Sequence, residues 1–221
     1  MNVEFFYHLF ILLALMIAFT CFKVANCKPF NETGEAFDKV ARVLGLRYPG
    51  GPNIERCALD GQANVPMPKM LKGGGGYNFS YSGLKTAVIN YCHTKEQKGE
   101  SYSKADVAAS FQRAAVDVLV EKTVSAAKEK GVSRVTAGGG VAANTYLRES
   151  LQSACQANGL ELVLPQKRYC TDNAAMIASE GLVQFRLGTF ADMSLTGKAS
   201  IPLAATLETV QSRAAKAKEE Q

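Results

Sequence analysis

Ser133–Arg148 reads SRVTAGGGVAANTYLR, and the fold class follows from it. A short β-like run, Arg134-Val135-Thr136-Ala137, meets Gly138-Gly139-Gly140. A helix-forming segment comes next, carrying Asn144, Tyr146, Leu147, Leu151 and Ala154. Strand, glycine turn and helix in this order let backbone approach a phosphate. Glycine has no Cβ in the way, and free N–H groups at a helix N-terminus favour an anion. The glycine spacing matches neither the dinucleotide fingerprint nor the P-loop. Taken by itself, the stretch is a tight strand-to-helix connection in an α/β domain.

Upstream, GEAFDKVARVLGL places Ala36, Phe37, Val40, Ala41 and Leu44 on one helical face, with Glu35 and Asp38 off it. Tyr48-Pro49-Gly50-Gly51-Pro52 is a turn, and Pro52 suits the first position of a short helix through Ile54, Cys57 and Ala58. Asn64–Gly76 is linker-like, with two prolines and then Gly73-Gly74-Gly75-Gly76. Tyr77–Tyr81 alternates aromatic and polar residues and reads as a strand. Ser82 caps a helix through Leu84, Val88 and Ile89, and His93–Ser101 reads as a loop. Lys85 falls in that helix's first turn, where the dipole gives a cation nothing. Ser103-Lys104-Ala105-Asp106 opens the strongest helix, periodic from Val107 through Phe111, Ala114, Ala115, Val118 and Leu119 to Ala126 and closed by Gly131.

Downstream, Gly159 ends the helix that follows the glycines, and Leu160–Leu164 is an apolar strand stopped by Pro165. Asp172 or Asn173 then stands at the N-terminus of a helix with the apolar face Ala175, Met176, Ile177, Leu182 and Val183. Gly188 stops it, and Ala205–Gln221 is a solvated helix or tail. Strands alternating with helices predict an α/β domain with helices packed on a mixed sheet. Ligands of such folds sit at the carboxyl ends of strands, so Gly138–Asn144 and Asp172 are candidates to share one crevice.

The totals bound the answer loosely. With 47% hydrophobic residues in 221, the chain can bury the core of one medium domain or two small ones. A net charge of +5 is compatible with nucleic acid without pointing to it. The six cysteines include no CxxC pair, so cysteines alone do not build a zinc site, and reduced thiols fit a chain of this size better than a disulfide framework. The only histidines are His8 and His93.

Phe5–Phe22 is an apolar run close to the length of a minimal spanning helix. A membrane anchor, the apolar part of a signal peptide and a segment foreign to the fold are the three readings. Glu4, with no Lys or Arg before the run, argues against a signal peptide. Lys23 and Lys28 would lie on the cytoplasmic side of a spanning segment. Asn31-Glu32-Thr33 and Asn78-Phe79-Ser80 are glycosylation sequons, relevant to a secreted or anchored form.

Five stretches occur in a telling order: GEAFDK (Gly34–Lys39), YPGGP (Tyr48–Pro52), FSYSGLKTA (Phe79–Ala87), AGGGVAAN (Ala137–Asn144) and CTDNAAMIA (Cys170–Ala178). Together, from about residue 33 to about residue 203, they resemble the bacterial-type tRNA adenosine threonylcarbamoyltransferases, the glycoprotease-like family. The resemblance implies an actin/Hsp70/sugar-kinase lobe, one of two α/β lobes around a nucleotide cleft. It also implies transfer of a threonylcarbamoyl group from threonylcarbamoyl-AMP to the exocyclic amine of the adenosine beside the tRNA anticodon. By motif match, Asp38, Gly51, Glu55 and Asn144 hold the nucleotide's ribose and adenine, although other members often carry Asp or another residue in place of Glu55. Gly138 and Gly139 match backbone near its phosphate. Asp172 matches the aspartate that, with two histidines, holds the family's iron or zinc ion.

The family's His-x-x-x-His pair and Ser-Gly-Gly-His-Thr loop have no counterpart here. The chain is therefore expected to be the second half of the enzyme, inactive alone and lacking the N-terminal lobe. Residues 1–30 would be foreign to the family, 31–204 its C-terminal part and 205–221 a charged tail. The resemblance further implies a dimerising paralogue, an ATPase subunit and a cytoplasmic location, with membrane contact only through residues 5–22. Lys85, Lys167 and Arg168 are candidates for tRNA phosphates. A non-catalytic half-domain that binds a nucleotide or a partner protein is the alternative.

Overall fold

The apolar stripe from Ala36 to Leu44 is the seed of the main core. The computed structural model of the protein describes residues 31–69, 79–186, 188, 190, 193 and 196, which form two compact units divided between Thr171 and Asp172. The run Phe5–Phe22, the glycines 73–76, Tyr77-Asn78 and the tail 205–221 lie outside the described residues.

In the first unit, helix α1 (Asn31–Val43) buries Ala36, Phe37, Val40 and Ala41, and Leu44 follows them into the core. Helix α2 (Gly50–Leu59) packs on α1 through Ile54 and Ala58. It starts two residues before Pro52. Proline is still tolerated there, because N–H groups of the first turn have no partner inside the helix.

Helix α3 (Ser82–Gln97) buries Leu84, Val88 and Cys92. Ser82 is its first residue rather than its cap; the cap position belongs to Tyr81, whose side chain does not cap the helix. The helix runs through His93–Gln97, so the expected loop is shorter, because Cys92 extends the buried stripe one turn further. Phe79–Tyr81 is not a strand. Alternation alone does not distinguish a strand from an aromatic anchor: Tyr81 is buried, and Phe79 packs against both the α1–α4 core and the cluster around Leu147.

Helix α4 (Lys104–Glu129) is the scaffold that joins these pieces. Its N-cap Ser103 accepts a hydrogen bond from the Asp106 N–H at 3.1 Å, as the motif predicts. Val107, Ala108, Phe111 and Ala115 face α1–α3, with Phe37 and Phe111 edge to face at 5.0 Å. Further along, Val116 and Leu119 face Leu147 and Leu151. Gly131, at φ +63°, ends the helix.

Strand β1 (Arg134–Thr136) pairs in parallel with β2 (Glu161–Val163), Val135 opposite Leu162. Among the described residues the expected mixed sheet is this parallel pair. A 3-10 turn, Gly140–Ala143, separates β1 from helix α5 (Thr145–Ala157), which buries Leu147, Leu151 and Cys155. The predicted helix therefore starts only after Asn144. A second 3-10 turn, Lys167–Tyr169, follows β2.

The second unit contains helix α6 (Ala174–Arg186). Asn173 caps it, accepting the Met176 N–H at 3.1 Å. Its apolar face stands largely open: Ile177 is 76% exposed, and Met176 and Leu182 are exposed as well. Among the described residues no helix is long and apolar enough to cross a membrane.

Candidate nucleotide-binding wall

The N-terminus of α5 gathers residues from two other helices and from the turn after β2, next to the glycine turn. Asn144 is the N-cap: its Oδ1 accepts the Leu147 N–H at 2.9 Å. Its Nδ2 donates to Gln112 Oε1 on α4 at 2.8 Å, and both amides are buried. Glu55 reaches across from α2, where its Oε1 accepts the Thr145 N–H at 2.8 Å. A carboxylate at that point meets both an orphan donor and the positive end of the helix dipole. Lys167, from the turn after β2, donates to Thr145 Oγ1 at 2.5 Å.

The start of α2 is fixed in a related way. Asp38 on α1 accepts the Gly50 N–H through Oδ1 at 2.7 Å. A Cβ on Gly50 would lie 2.5 Å from Asp38 Cα and 2.7 Å from the Phe37 carbonyl oxygen, so only glycine permits this approach. Gly51 and Glu55 are four residues apart and share one face of α2. Helix α1 also touches the turn Gly140–Ala143. Asp38, Gly51, Glu55 and Asn144 thus belong to one connected set of elements, α1, α2 and the start of α5. Gly138 and Gly139 are exposed beside it, and Gly139 takes φ +89°, a conformation that side chains other than glycine's rarely adopt.

Arg148 locks the loops together. Its guanidinium donates to the Ala142 carbonyl at 2.8 Å and the Pro165 carbonyl at 2.7 Å, and Nη1 lies 3.8 Å from Cys170 Sγ. The glycine turn and the loop after β2 are therefore held by one planar cation. Asp172 opens the second unit and is exposed. Among the described residues no three His, Cys, Asp or Glu side chains come together as a metal site. The described residues thus do not assemble the ligands that iron or zinc requires. Arg168 stacks on the Tyr169 ring at 4.6 Å.

Sequence reasoning passed over Gln112 and Arg148, and each carried a signal. Gln112 is an amide amid the apolar residues of α4. Arg148 is a cation in the first turn of a helix, where the dipole disfavours it. A shallow surface hollow of about 540 Å³ beside β2 is lined by Arg148, Glu149, Gln152, Ser153, Leu162 and Leu164. None of the candidate nucleotide residues lines it, so the site rests on convergent polar groups rather than on this concavity.

Comparison with known proteins is consistent in its direction. The family model for tRNA N6-adenosine threonylcarbamoyltransferase matches residues 19–179. A protein of that name from Staphylococcus saprophyticus is 48% identical over 167 residues, covering 76% of this chain and 49% of the relative. One from Staphylococcus aureus (strain Newman) is 46% identical over 173 residues, covering 78% and 51%. The chain spans about half the length of the curated relatives it matches. Among solved structures, full-length HypF in its phosphate- and nucleotide-bound form aligns with TM-score 0.48 and 23% identity over 67% of this chain and 20% of that one. A likeness that loose carries no weight here.

Proposed function

The chain belongs to the tRNA N6-adenosine threonylcarbamoyltransferase family, and from that premise we propose that it forms the nucleotide-binding wall of a threonylcarbamoyl-transfer site acting on tRNA. Its lobe is of the actin/Hsp70/sugar-kinase type, a reading supported by the order of the five motifs and the alternation of helices with parallel strands. The observation that carries the proposal is the convergence of Glu55, Asn144 and the glycine turn at the start of α5, with Asp38 at the start of α2.

The donor is threonylcarbamoyl-AMP. The adenosine amine nitrogen forms a bond to the carbamoyl carbon, the bond from that carbon to the phosphate oxygen breaks, and AMP leaves with the electron pair. The amine sheds one proton. Such a mixed anhydride is already activated, so the protein's task is to hold the amine in line and stabilise developing charge. Asp38 suits ribose hydroxyls as a charge-assisted acceptor. The exposed backbone of Gly138–Gly139 suits the departing phosphate. Gly51 leaves the face of α2 open beside them.

Asp172 is the residue that motif match assigns to the family's metal. Among the described residues no group of three or more His, Cys, Asp or Glu side chains forms that could complete such a site. Lys167 and Arg168, on the turn after β2, and Lys85, on α3, are the basic groups suited to tRNA phosphates. The family's dimerising paralogue and ATPase subunit are the expected partners, and the cytoplasm the expected location.

The test is isothermal titration calorimetry of AMP into the 221-residue chain. Saturable 1:1 binding is expected, weakened roughly tenfold or more in Asp38→Asn and Asn144→Ala, each of which removes about 1.4 kcal/mol or more of polar contact. A wild-type chain that takes up no AMP overturns the proposal.

A further inference from the structure

Gln112 is 7% exposed on a helix whose neighbouring buried positions are Ala108, Phe111, Ala115 and Val116. Burying an amide costs free energy unless its polar atoms are bonded, so an amide here calls for a reason. That reason is Asn144. The orientation of the pair follows from chemistry. The Leu147 N–H can only donate, so Asn144 must present Oδ1 to it. Its Nδ2 then faces α4, and Gln112 must answer with Oε1.

A helix cap needs only an acceptor oxygen, and aspartate would supply one while also favouring the dipole. Aspartate at position 144 would set a second oxygen against Gln112, whose amide would then have to turn and donate Nε2. The amide at 144 instead serves the cap through Oδ1 and Gln112 through Nδ2 at once. Held at both ends, the Asn144 amide plane has one orientation. Its second Nδ2 hydrogen and the second lone pair of Oδ1 then point in fixed directions.

We propose that Gln112 is a positioning residue for nucleotide binding: it holds the Asn144 amide in the one orientation that presents its remaining donor and acceptor to the nucleotide. The inference rests on the reading of Asn144 as a nucleotide contact. Gln112 itself touches no substrate in this scheme; it acts through Asn144.

The experiment uses the full 221-residue chain with AMP as probe. Gln112→Met withdraws the acceptor at similar length, and Gln112→Glu keeps an oxygen opposite Asn144 Nδ2. Affinity is read by calorimetry, and the Asn144 side-chain amide by ¹⁵N-resolved hydrogen exchange. In wild type the Asn144 Nδ2 protons are expected to exchange slowly. Gln112→Met is expected to lose that protection and bind AMP roughly tenfold more weakly, while Gln112→Glu stays within roughly threefold of wild type. Leu151→Ala, a core change elsewhere on α5, is expected to lower thermal stability and leave AMP affinity unchanged. Gln112→Met with wild-type affinity overturns the inference and leaves the nucleotide reading standing; a wild type without AMP binding overturns both. Should Gln112→Met not fold, Gln112→Asn takes its place with the same expected loss. Fast exchange of Asn144 Nδ2 in wild type overturns the inference without any variant.

Discussion

Glu55 offers the sharpest test of the site as built, because its carboxylate is already engaged in the absence of ligand. Its Oε1 accepts the Thr145 N–H at 2.8 Å in a half-buried setting between α2 and α5. Glu55→Ala removes a charged acceptor and leaves a helix N–H without a protein partner. Hydrogen bonds to charged groups contribute about 1.5–3 kcal/mol, and partial access to water places this one near the lower end, about 1.5–2 kcal/mol. At roughly 2–4 °C per kcal/mol for a domain of this size, Tm should fall by about 3–8 °C. Glu55→Gln keeps an acceptor oxygen and gives up only the charge at the helix N-terminus, about 0.3–1 kcal/mol, and so should fall by no more than about 4 °C. The assay is thermal unfolding followed by circular dichroism, with and without AMP. A Glu55→Ala protein that melts with wild type in the absence of AMP refutes the capping role. So does Glu55→Gln that is as damaging as Glu55→Ala. A loss confined to samples containing AMP would return Glu55 to the role of a pure ligand contact.

Gly50→Ala should destabilise by about 2–3 kcal/mol in urea denaturation, because its Cβ meets α1 backbone that cannot swing aside; Gly51→Ala, with nothing within 4 Å, should stabilise α2 by up to about 1 kcal/mol and weaken AMP binding if a ligand needs that face open. Arg148→Met should cost about 2 kcal/mol, and Arg148→Lys should recover only part of it, since one ammonium does not span the Ala142 and Pro165 carbonyls in a planar fork; hydrogen exchange should rise in residues 140–143 and 165–170 together. The Lys95 ammonium bonded to Glu100 holds its carboxyl below the ordinary carboxylate value. Its contribution is present above the unfolded pKa of about 4.3 and lost as pH falls through the folded one, and ¹³C titration of Lys95→Met should return Glu100 to the ordinary value. Burial raises the Cys155 thiol, so at pH 8 it should resist a disulfide-exchange reagent until the chain unfolds, whereas Cys57, also raised by burial but half-exposed, should react sooner than Cys155.

What could be read in advance was what depends on local pattern. The stripe from Ala36 to Leu44, the Ser103 cap and the Gly131 and Gly159 stops are each written in a few adjacent residues. The errors occurred where a distant partner decides. Tyr81 looks like a strand residue until the core that buries it is in place. The length of α3 depends on Cys92 finding burial. The start of α5 is delayed to Thr145 because Gly140–Ala143 first makes its own tight turn. Asp38, Gly51, Glu55 and Asn144 were named from motifs, but what they do in the fold was not: which N–H each carboxylate accepts depends on contacts up to ninety residues apart in the chain. Gln112 and Arg148 escaped notice for the same reason, since the partners that explain them lie on other elements.

The capping contacts also change the meaning of the glycine turn. Strand, glycines and helix first suggested that α5 offers free N–H groups to a phosphate. In the folded chain the Thr145 N–H is taken by Glu55 and the Leu147 N–H by Asn144. A phosphate bonded to either of these two donors would have to displace the Glu55 carboxylate or the amide that Gln112 holds in place. On the proposed reading the anion-binding role falls to the exposed backbone of Gly138–Gly140, where Gly139 at φ +89° turns the chain before the helix begins. The helix start then has a different task. It carries a negative group on one side and a fixed amide on the other, a pairing suited to the hydroxyls of a sugar. The proposed reading thus assigns phosphate to the turn and ribose to the helix cap.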